Sequence, residues 1–212
     1  MKKLMIILFG TSIMMSLNAQ VQTQSLTKAE VQSLIHMREE EKLARDVYTK
    51  LYEKWGLTTF ERIARSEQRH MDMVKSLLLK YGIQDPVKSD AIGDFSDPEM
   101  KKLYNELVSK GEKSLLSALM VGATIEDLDI YDLEKAIKET KHNDIKDVYG
   151  MLMRGSENHM RAFNNQIKQN GGYYKAQYIS QKRLDEILSK TNGRGRGMGK
   201  GLGRGMRGQS SW

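Results

Sequence analysis

Two short motifs in this chain carry side chains that could do chemistry. Glu67-Gln-Arg-His70 sets a carboxylate and an imidazole three residues apart, and Ser156-Glu-Asn-His159 places a second imidazole at the same point of a similar motif. On a helix, residues three apart share a face, with Cβ atoms about 5–6 Å from each other. A Glu–His pair so placed can hold one cation. Two more acids, Glu126 and Asp129, also stand three apart, and Glu41 closes the run Glu39-Glu40-Glu41. Oxygen and imidazole donors without sulfur suit iron or manganese, and zinc less well. The chain has no cysteine, which removes disulfides, thiolate metal sites and cysteine nucleophiles. Each group taken alone is ordinary. A run of three glutamates usually marks a solvated face, and Glu40 could replace Glu41 in register. A lone Glu–His pair is a surface pair as often as a ligand pair, and a lone histidine is more often a satisfied core residue.

The elements that must position these groups are helices. Between Leu26 and Lys190 apolar residues recur at steps of three and four, without alternation of period two. Thr27 with Glu30, and Thr58 with Glu61, have the spacing of capping boxes, while Ser96, Pro98 and Glu99 open a further helix. The pattern predicts long helices at about 27–55, 58–82, 112–140 and 143–170, a shorter one near 97–110, and a last one near 177–190. Four apolar stripes follow: Leu34, Met37, Ala44, Tyr48, Leu51 and Trp55; Phe60, Ile63, Val74, Leu77 and Tyr81; Leu119, Gly122, Leu133 and Ala136; Leu152, Phe163 and Ile167. Each stripe is interrupted near its middle by polar residues: Glu41; Glu67 and His70; Glu126 and Asp129; Ser156 and His159. A buried carboxylate without a partner is costly, and several at one level repel; a cation removes both problems. The expected fold is all-α: a four-helix bundle with one long crossover connection and extra short helices.

These residues carry a resemblance. Glu41-Lys-Leu-Ala44-Arg45-Asp-Val-Tyr48 is similar to the first-helix E-x-x-A-R-x-x-Y pattern of rubrerythrins and related ferritin-like proteins. Glu67-Gln-Arg-His70 matches the E-x-x-H pair of their second helix, and Ser156-Glu-Asn-His159 stands where their second E-x-x-H would be. REEEKLARDVY, SEQRHM, GATIEDLDIYDL and RGSENHMRAF together resemble an uncharacterised ferritin-like family, domain of unknown function 2202, from about residue 26 to 168. The resemblance implies a ferritin-like fold and a dinuclear metal site, and no particular reaction. One residue departs from the pattern: Ser156 replaces a bridging carboxylate. Glu157 points about 100° away on a regular helix, so Asp129 is the compensating candidate. The expected ligand set is Glu41, Glu67, His70, Glu126, Asp129 and His159, around dinuclear iron or manganese. A weakened or mononuclear site is the alternative. Copper(I) held by Met71, Met73, Met151, Met153 or Met160 is a lesser option, because methionine more often fills cores. Tyr48 is expected as a packed core tyrosine, or else as a donor to the ligands. Arg45 and Arg161 are expected in surface ion pairs, and His36 and His142 match no ligand pattern.

The ends read differently. Residues 1–19 have a secretory signal peptide's form, with Lys2 and Lys3 before an apolar run, which points to export to the periplasm or outside. Residues 193–212 alternate glycine with Arg, Lys, Met and Leu and are expected to be a disordered tail, suited at most to weak contact with an anionic surface. The ferritin-like domain is expected over 20–192. The formal net charge of +7 sits entirely in Lys2, Lys3 and five basic residues of the tail, so the middle is balanced and no specific nucleic-acid partner is expected. Metal ions are the expected partners, and a homo-oligomer is left open.

Overall fold

The computed structural model describes residues 25–190, which hold six helices and no strand; the expected signal peptide and tail lie outside them. Thr27 and Glu30 cap α1 (Lys28–Trp55) reciprocally, and Gly56 ends it in the left-handed conformation at φ 64°. The second expected capping box does not form. Leu57 takes the N-cap position of α2 (Thr58–Lys80) without a side-chain bond, and Thr58 is already helical. Leu57 packs against the core, so burial fixes this corner where a hydroxyl cap was expected. In α3 (Pro98–Gly111) Asp97 is the cap, accepting from Glu99 N, and proline opens the helix. Ser114 caps α4 (Leu115–Glu139), and α5 spans Asn143–Gln169. The last helix, α6 (Gln181–Ser189), starts four residues later than expected. Ser180 is its N-cap, in extended conformation and accepting from Arg183 N, while the amides of Gln177, Tyr178 and Ile179 before it are donated to the Asp127 carboxylate.

Side-chain pairs fix the directions of the long helices. Glu30 meets Thr140 and Tyr48 meets Glu126, so α1 and α4 are antiparallel. Glu41 meets His70, which makes α1 and α2 antiparallel. Glu67 meets His159 and Lys80 meets Asp144, which does the same for α2 and α5. Helices α2 and α4 therefore run the same way. The chain must travel the length of the bundle between them, and the connection that does so carries α3.

The buried apolar residues form two clusters, not one. Val47, Tyr48, Leu51, Phe60, Leu119, Phe163 and Ile167 belong to the first, with Leu184 and Ile187 of α6. Leu34, Met37, Val74, Leu78, Leu133, Tyr149 and Leu152 belong to the second. On each long helix the mid-length polar residues fall between the two. Glu40 and the expected ligand Glu41 are buried on the inner side of α1, and its outer face is buried as well, although a glutamate run taken alone usually marks a solvated face: Glu39, Lys42, Arg45 and Asp46. The crossover covers them. Lys42 bridges Asp46 at 2.5 Å and donates to Ala91 O at 2.9 Å. Asp46 accepts from Gly93 N at 2.8 Å, and Arg45 binds Asp90 at 2.6 Å. Arg38 holds Asp85 through two nitrogens, each at 3.1 Å. Arg45 thus joins the exposed Asp90 to the buried Asp46, with its own side chain buried. Arg161 donates to Ile187 O at 3.2 Å, tying α5 to α6.

Asp127 is the main hydrogen-bond acceptor for the segment before α6, which Tyr174 and Ile179 also anchor in the core. It is fully buried and accepts three backbone amides and the Tyr174 hydroxyl. Asp127→Ala strips the partners from several buried donors, at a cost of about 3 kcal/mol or more. The expected result is fast hydrogen exchange and proteolytic nicking confined to residues 173–189, with the long helices intact. Unchanged protection there would show that apolar packing of α6 holds the segment.

Candidate metal centre

The polar layer between the two clusters is built from all four long helices. Glu41 comes from α1, Glu67 and His70 from α2, Glu126 and Asp129 from α4, and Ser156 and His159 from α5; all are buried. Glu67 is central. Its Oε2 lies 2.7 Å from His70 Nδ1 and its Oε1 lies 2.8 Å from His159 Nδ1. His70 Nδ1 is also 3.2 Å from Glu41 Oε2, and His159 Nδ1 is 3.4 Å from Glu126 Oε2. The two imidazoles stack at 5.6 Å between centroids. Two triads result, Glu41–Glu67–His70 and Glu67–Glu126–His159, each with one ligand atom per residue within 4.8 Å of the others. Glu67 belongs to both.

Several of these atoms have no hydrogen-bond partner although they are buried: Glu41 Oε1, Glu67 Oε1, Asp129 Oδ1 and His159 Nδ1. Glu67 Oε1 and His159 Nδ1 are only 2.8 Å apart. They approach without the alignment a hydrogen bond needs, as two donors do when both aim at a common point. The residues present thus fit a cation on an observation of their own geometry. Other members are held from outside. Tyr48 donates to Glu126 Oε1 at 2.6 Å. Ser156 donates to Asp129 Oδ2. Tyr48, at once packed and donating, combines the two roles expected of it.

The charges are strongly coupled. Burial pushes Glu41 up, and the nearby His70 only partly offsets this, leaving it at about 8. Burial also lifts Asp129 well above the carboxylate range, with Glu41 and Glu126 adding repulsion, and raises Glu126. Burial alone would lower His70, but Glu41 and Glu67 outweigh it and raise it to about 11. His159 is lifted to about 10 against burial by Glu67 and Glu126. Burial likewise opposes ionisation of Glu67, but the two histidines outweigh it and hold the carboxyl below its ordinary value. Without metal, the two histidines are thus pushed toward the imidazolium form around Glu67, while burial pushes Glu41, Asp129 and Glu126 toward the neutral form.

Five of the six residues expected as ligands form the two triads. The sixth, Asp129, lines the same small cavity as Glu41, Glu67 and Glu126, but its oxygens lie outside both triads. Glu157 points away, to Arg183 at 2.6 Å and Lys190 at 3.2 Å. Met160 packs in the first cluster, Met73 and Met153 flank the second, and Met151 is exposed. Glu40, weighed only as a substitute for Glu41, is a buried wall of the cavity beside it. His36, set aside from sequence, meets Glu40 and Asp132 in a further cluster. Gly155 also escaped notice. A Cβ there would lie 2.5 Å from His70 Cε1 and Nε2, so the His70 ring occupies the place of the missing side chain.

A family model described as an uncharacterized protein domain (DUF2202) matches residues 30–191. The uncharacterized protein MJ0754 of Methanocaldococcus jannaschii is 58% identical over 172 residues, which is 81% of this chain and 93% of that one. The crystal structure titled as hypothetical protein MJ0754 from Methanococcus jannaschii is similar with a TM-score of 0.79 at 56% identity, covering 82% of this chain and 99% of that chain. The match to the family spans every residue of the polar layer.

Two outcomes test this geometry. Gly155→Ala favours the helix by about 1 kcal/mol but drives a methyl into His70. Circular dichroism should be unchanged, while manganous-ion affinity falls about 10- to 100-fold; unchanged affinity would remove His70 from the centre. The second concerns pH. His70 and His159 have folded values raised above the unfolded value of 6.5, and Glu41 is raised above 4.5. The folded metal-free protein therefore holds more protons than the unfolded chain at neutral pH, and stability drops as pH rises. The histidine contribution is complete below 6.5 and is lost through about 10 to 11. The melting temperature of metal-free protein should fall from pH 7 to 9. Metal affinity should move the other way, by about tenfold per pH unit for each proton displaced. A flat melting profile would mean that the histidines are neutral.

Proposed function

The chain belongs to the DUF2202 family, and we propose that it is an exported ferritin-like protein whose buried centre binds a pair of iron or manganese ions. The observation that carries this reading is the sharing of Glu67 between two triads, one oxygen turned to each histidine. A carboxylate bridging two cations needs that arrangement, whereas a structural ion pair needs one histidine. Two long helices running the same way, joined by a crossover, favour the ferritin-like assignment. The form of residues 1–19 supports export; among the described residues no helix is long and apolar enough to cross a membrane.

In this reading Glu41 and His70 would hold one ion, Glu126 and His159 the other, and Glu67, a member of both triads, would serve the two. Asp129 is the reserve oxygen donor that stands in for the carboxylate missing at 156. Tyr48 fixes Glu126 and leaves its second oxygen free to ligate. The two apolar clusters keep water away from the layer on both sides. Such an ion pair supplies redox chemistry: oxidation of ferrous iron as substrate, or reduction of peroxide or dioxygen. Electrons come from iron itself or from a partner, because the chain has no cysteine to hold a rubredoxin-like module.

A second reading has its own observation. Ser156 stands where the resemblance places a carboxylate, and His70 and His159 already balance the acids without metal. A metal-binding or interaction bundle without turnover would look the same. Elemental analysis, followed by oxygen or peroxide consumption with ferrous iron, separates the two. Metal bound without consumption selects the second.

Binding to the folded state at a hundredfold excess over Kd stabilises by about 2.7 kcal/mol. Manganous or ferrous ion should therefore raise the melting temperature by several degrees. Glu67→Gln and His70→Ala should lose this shift, each compared with its own metal-free form. Glu157→Ala should keep it, because that carboxylate is paired with Arg183 and Lys190. A shift that survives Glu67→Gln would refute the bridging role.

A further inference from the structure

Glu40 has no role in the centre just described. It is 4% exposed, and its Oε2 is buried with no hydrogen-bond partner. A desolvated carboxylate oxygen in that condition needs a proton or a cation. Oε2 is turned toward His36, whose Nε2 lies 3.5 Å away. The same Nε2 lies 3.8 Å from Asp132 Oδ2 across on α4. Both separations are long for hydrogen bonds, yet one ligand atom from each of the three residues falls within 4.8 Å of the others. Three donors from two helices thus converge at ion-pair distances, longer than close hydrogen bonds, and leave Glu40 Oε2 without a hydrogen-bond partner.

The cluster spans a gradient of exposure. The His36 side chain is 50% exposed, that of Asp132 23%, and that of Glu40 5%. On the outside, His36 lines a surface groove against α3 whose walls include Asp97, Glu99 and Glu106. On the inside, Glu40 lines the cavity it shares with Glu41, Glu67, Glu126 and Asp129. Asp132, Asp129 and Glu126 follow at steps of three on α4, opposite His36, Glu40 and Glu41 on α1. The apolar clusters close the layer above and below. Between the surface groove and the inner cavity, which share no lining residue, stand the polar side chains of His36, Asp132 and Glu40.

We propose that His36, Glu40 and Asp132 form a second, solvent-reached site for a divalent first-row transition cation, and that ions pass from it by way of Glu40 and Asp129 to the buried centre. One imidazole and two carboxylates on one side of an ion leave the remaining positions to water, a donor set suited to manganous, ferrous or zinc ions. The site itself stands on the three side chains alone. The transfer step rests on the dinuclear reading above.

The test uses the full chain and manganous ion as the probe. Crystals soaked in manganous chloride are read by anomalous scattering, and loading of the centre is followed by stopped-flow in the wild type, Glu67→Gln and the double variant His36→Ala/Asp132→Asn. The expected result is an anomalous peak among His36, Glu40 and Asp132 that persists in Glu67→Gln and vanishes in the double variant. The double variant should also fill the centre at least about tenfold more slowly, to an unchanged final stoichiometry. No peak at these residues in saturated wild type means an imidazolium ion pair only, and overturns the site. A peak with an unchanged loading rate overturns the transfer. A peak here with none at Glu67 supports the site while refuting the dinuclear reading.

Discussion

A layer of buried charge across the middle of the bundle is the constraint on which the rest depends. Five carboxylates, counting Glu40, and two imidazoles are withdrawn from water at one level. An unpaired buried charge costs several kcal/mol, so the layer must be neutralised from within. Without metal the protein manages this with protons: His70 and His159 keep theirs far above their ordinary range, and Glu41 and Asp129 are pushed toward the neutral form. On the proposed reading, cations would replace those protons. The same residues thus serve two charge states, and the difference between them is a count of protons. This is why the apolar core is divided in two, and why each long helix carries its polar residues at mid-length.

Sealing such a layer requires cover on the outside as well. The outer face of α1 is as charged as its inner face, yet it is buried because the crossover lies on it. Lys42 and Arg45 take the crossover's carbonyl and carboxylate groups, while Asp46 takes its amide. These bonds come from residues next in sequence to Glu41. The register that aims Glu41 inward therefore aims Lys42, Arg45 and Asp46 outward at the connection. A slip of α1 would break both sets at once. The crossover is thus a clamp on the ligand helix as well as a link between α2 and α4.

What could be read from the chain before folding was whatever repeats at helical spacing. The four stripes, their polar interruptions and five of the six residues in the expected ligand set follow from steps of three and four, and the structure brings those five into two triads. The misses share a cause. The burial of the outer face of α1, with Lys42, Arg45 and Asp46, depends on a crossover about 45 to 50 residues away in sequence, and charged residues carry no sign of what lies on top of them. The Thr58 cap failed because Leu57 is buried at the corner, which a local motif cannot express. The delayed start of α6 follows a stretch whose amides go to Asp127, some 50 residues upstream. His36 looked isolated because its partner Asp132 lies on another helix. Gly155 has no pattern at all; its value is the volume it leaves for an imidazole from α2.

Ser156 stands where the ferritin-like resemblance places a carboxylate, and its hydroxyl donates to Asp129 from α4 in the same layer. Measured against that pattern, the number of acids is the same, with one of them on α4 instead of α5. The two halves of the centre then differ. Glu126 is anchored by Tyr48, which is itself wedged among Phe60 and Phe163. On the other side Glu41 Oε1 and Asp129 Oδ1 are both unpartnered, and Glu41 is the foremost charge acting on Asp129. Glu40 lies against that same side, with its own unpartnered oxygen. Unpartnered atoms occur in both halves, since Glu67 Oε1 and His159 Nδ1 also lack hydrogen-bond partners; what sets the Glu126 half apart is its Tyr48 anchor. On the proposed reading, Asp129 would supply the oxygen that the resemblance places at 156, on the side where Glu40 lines the cavity.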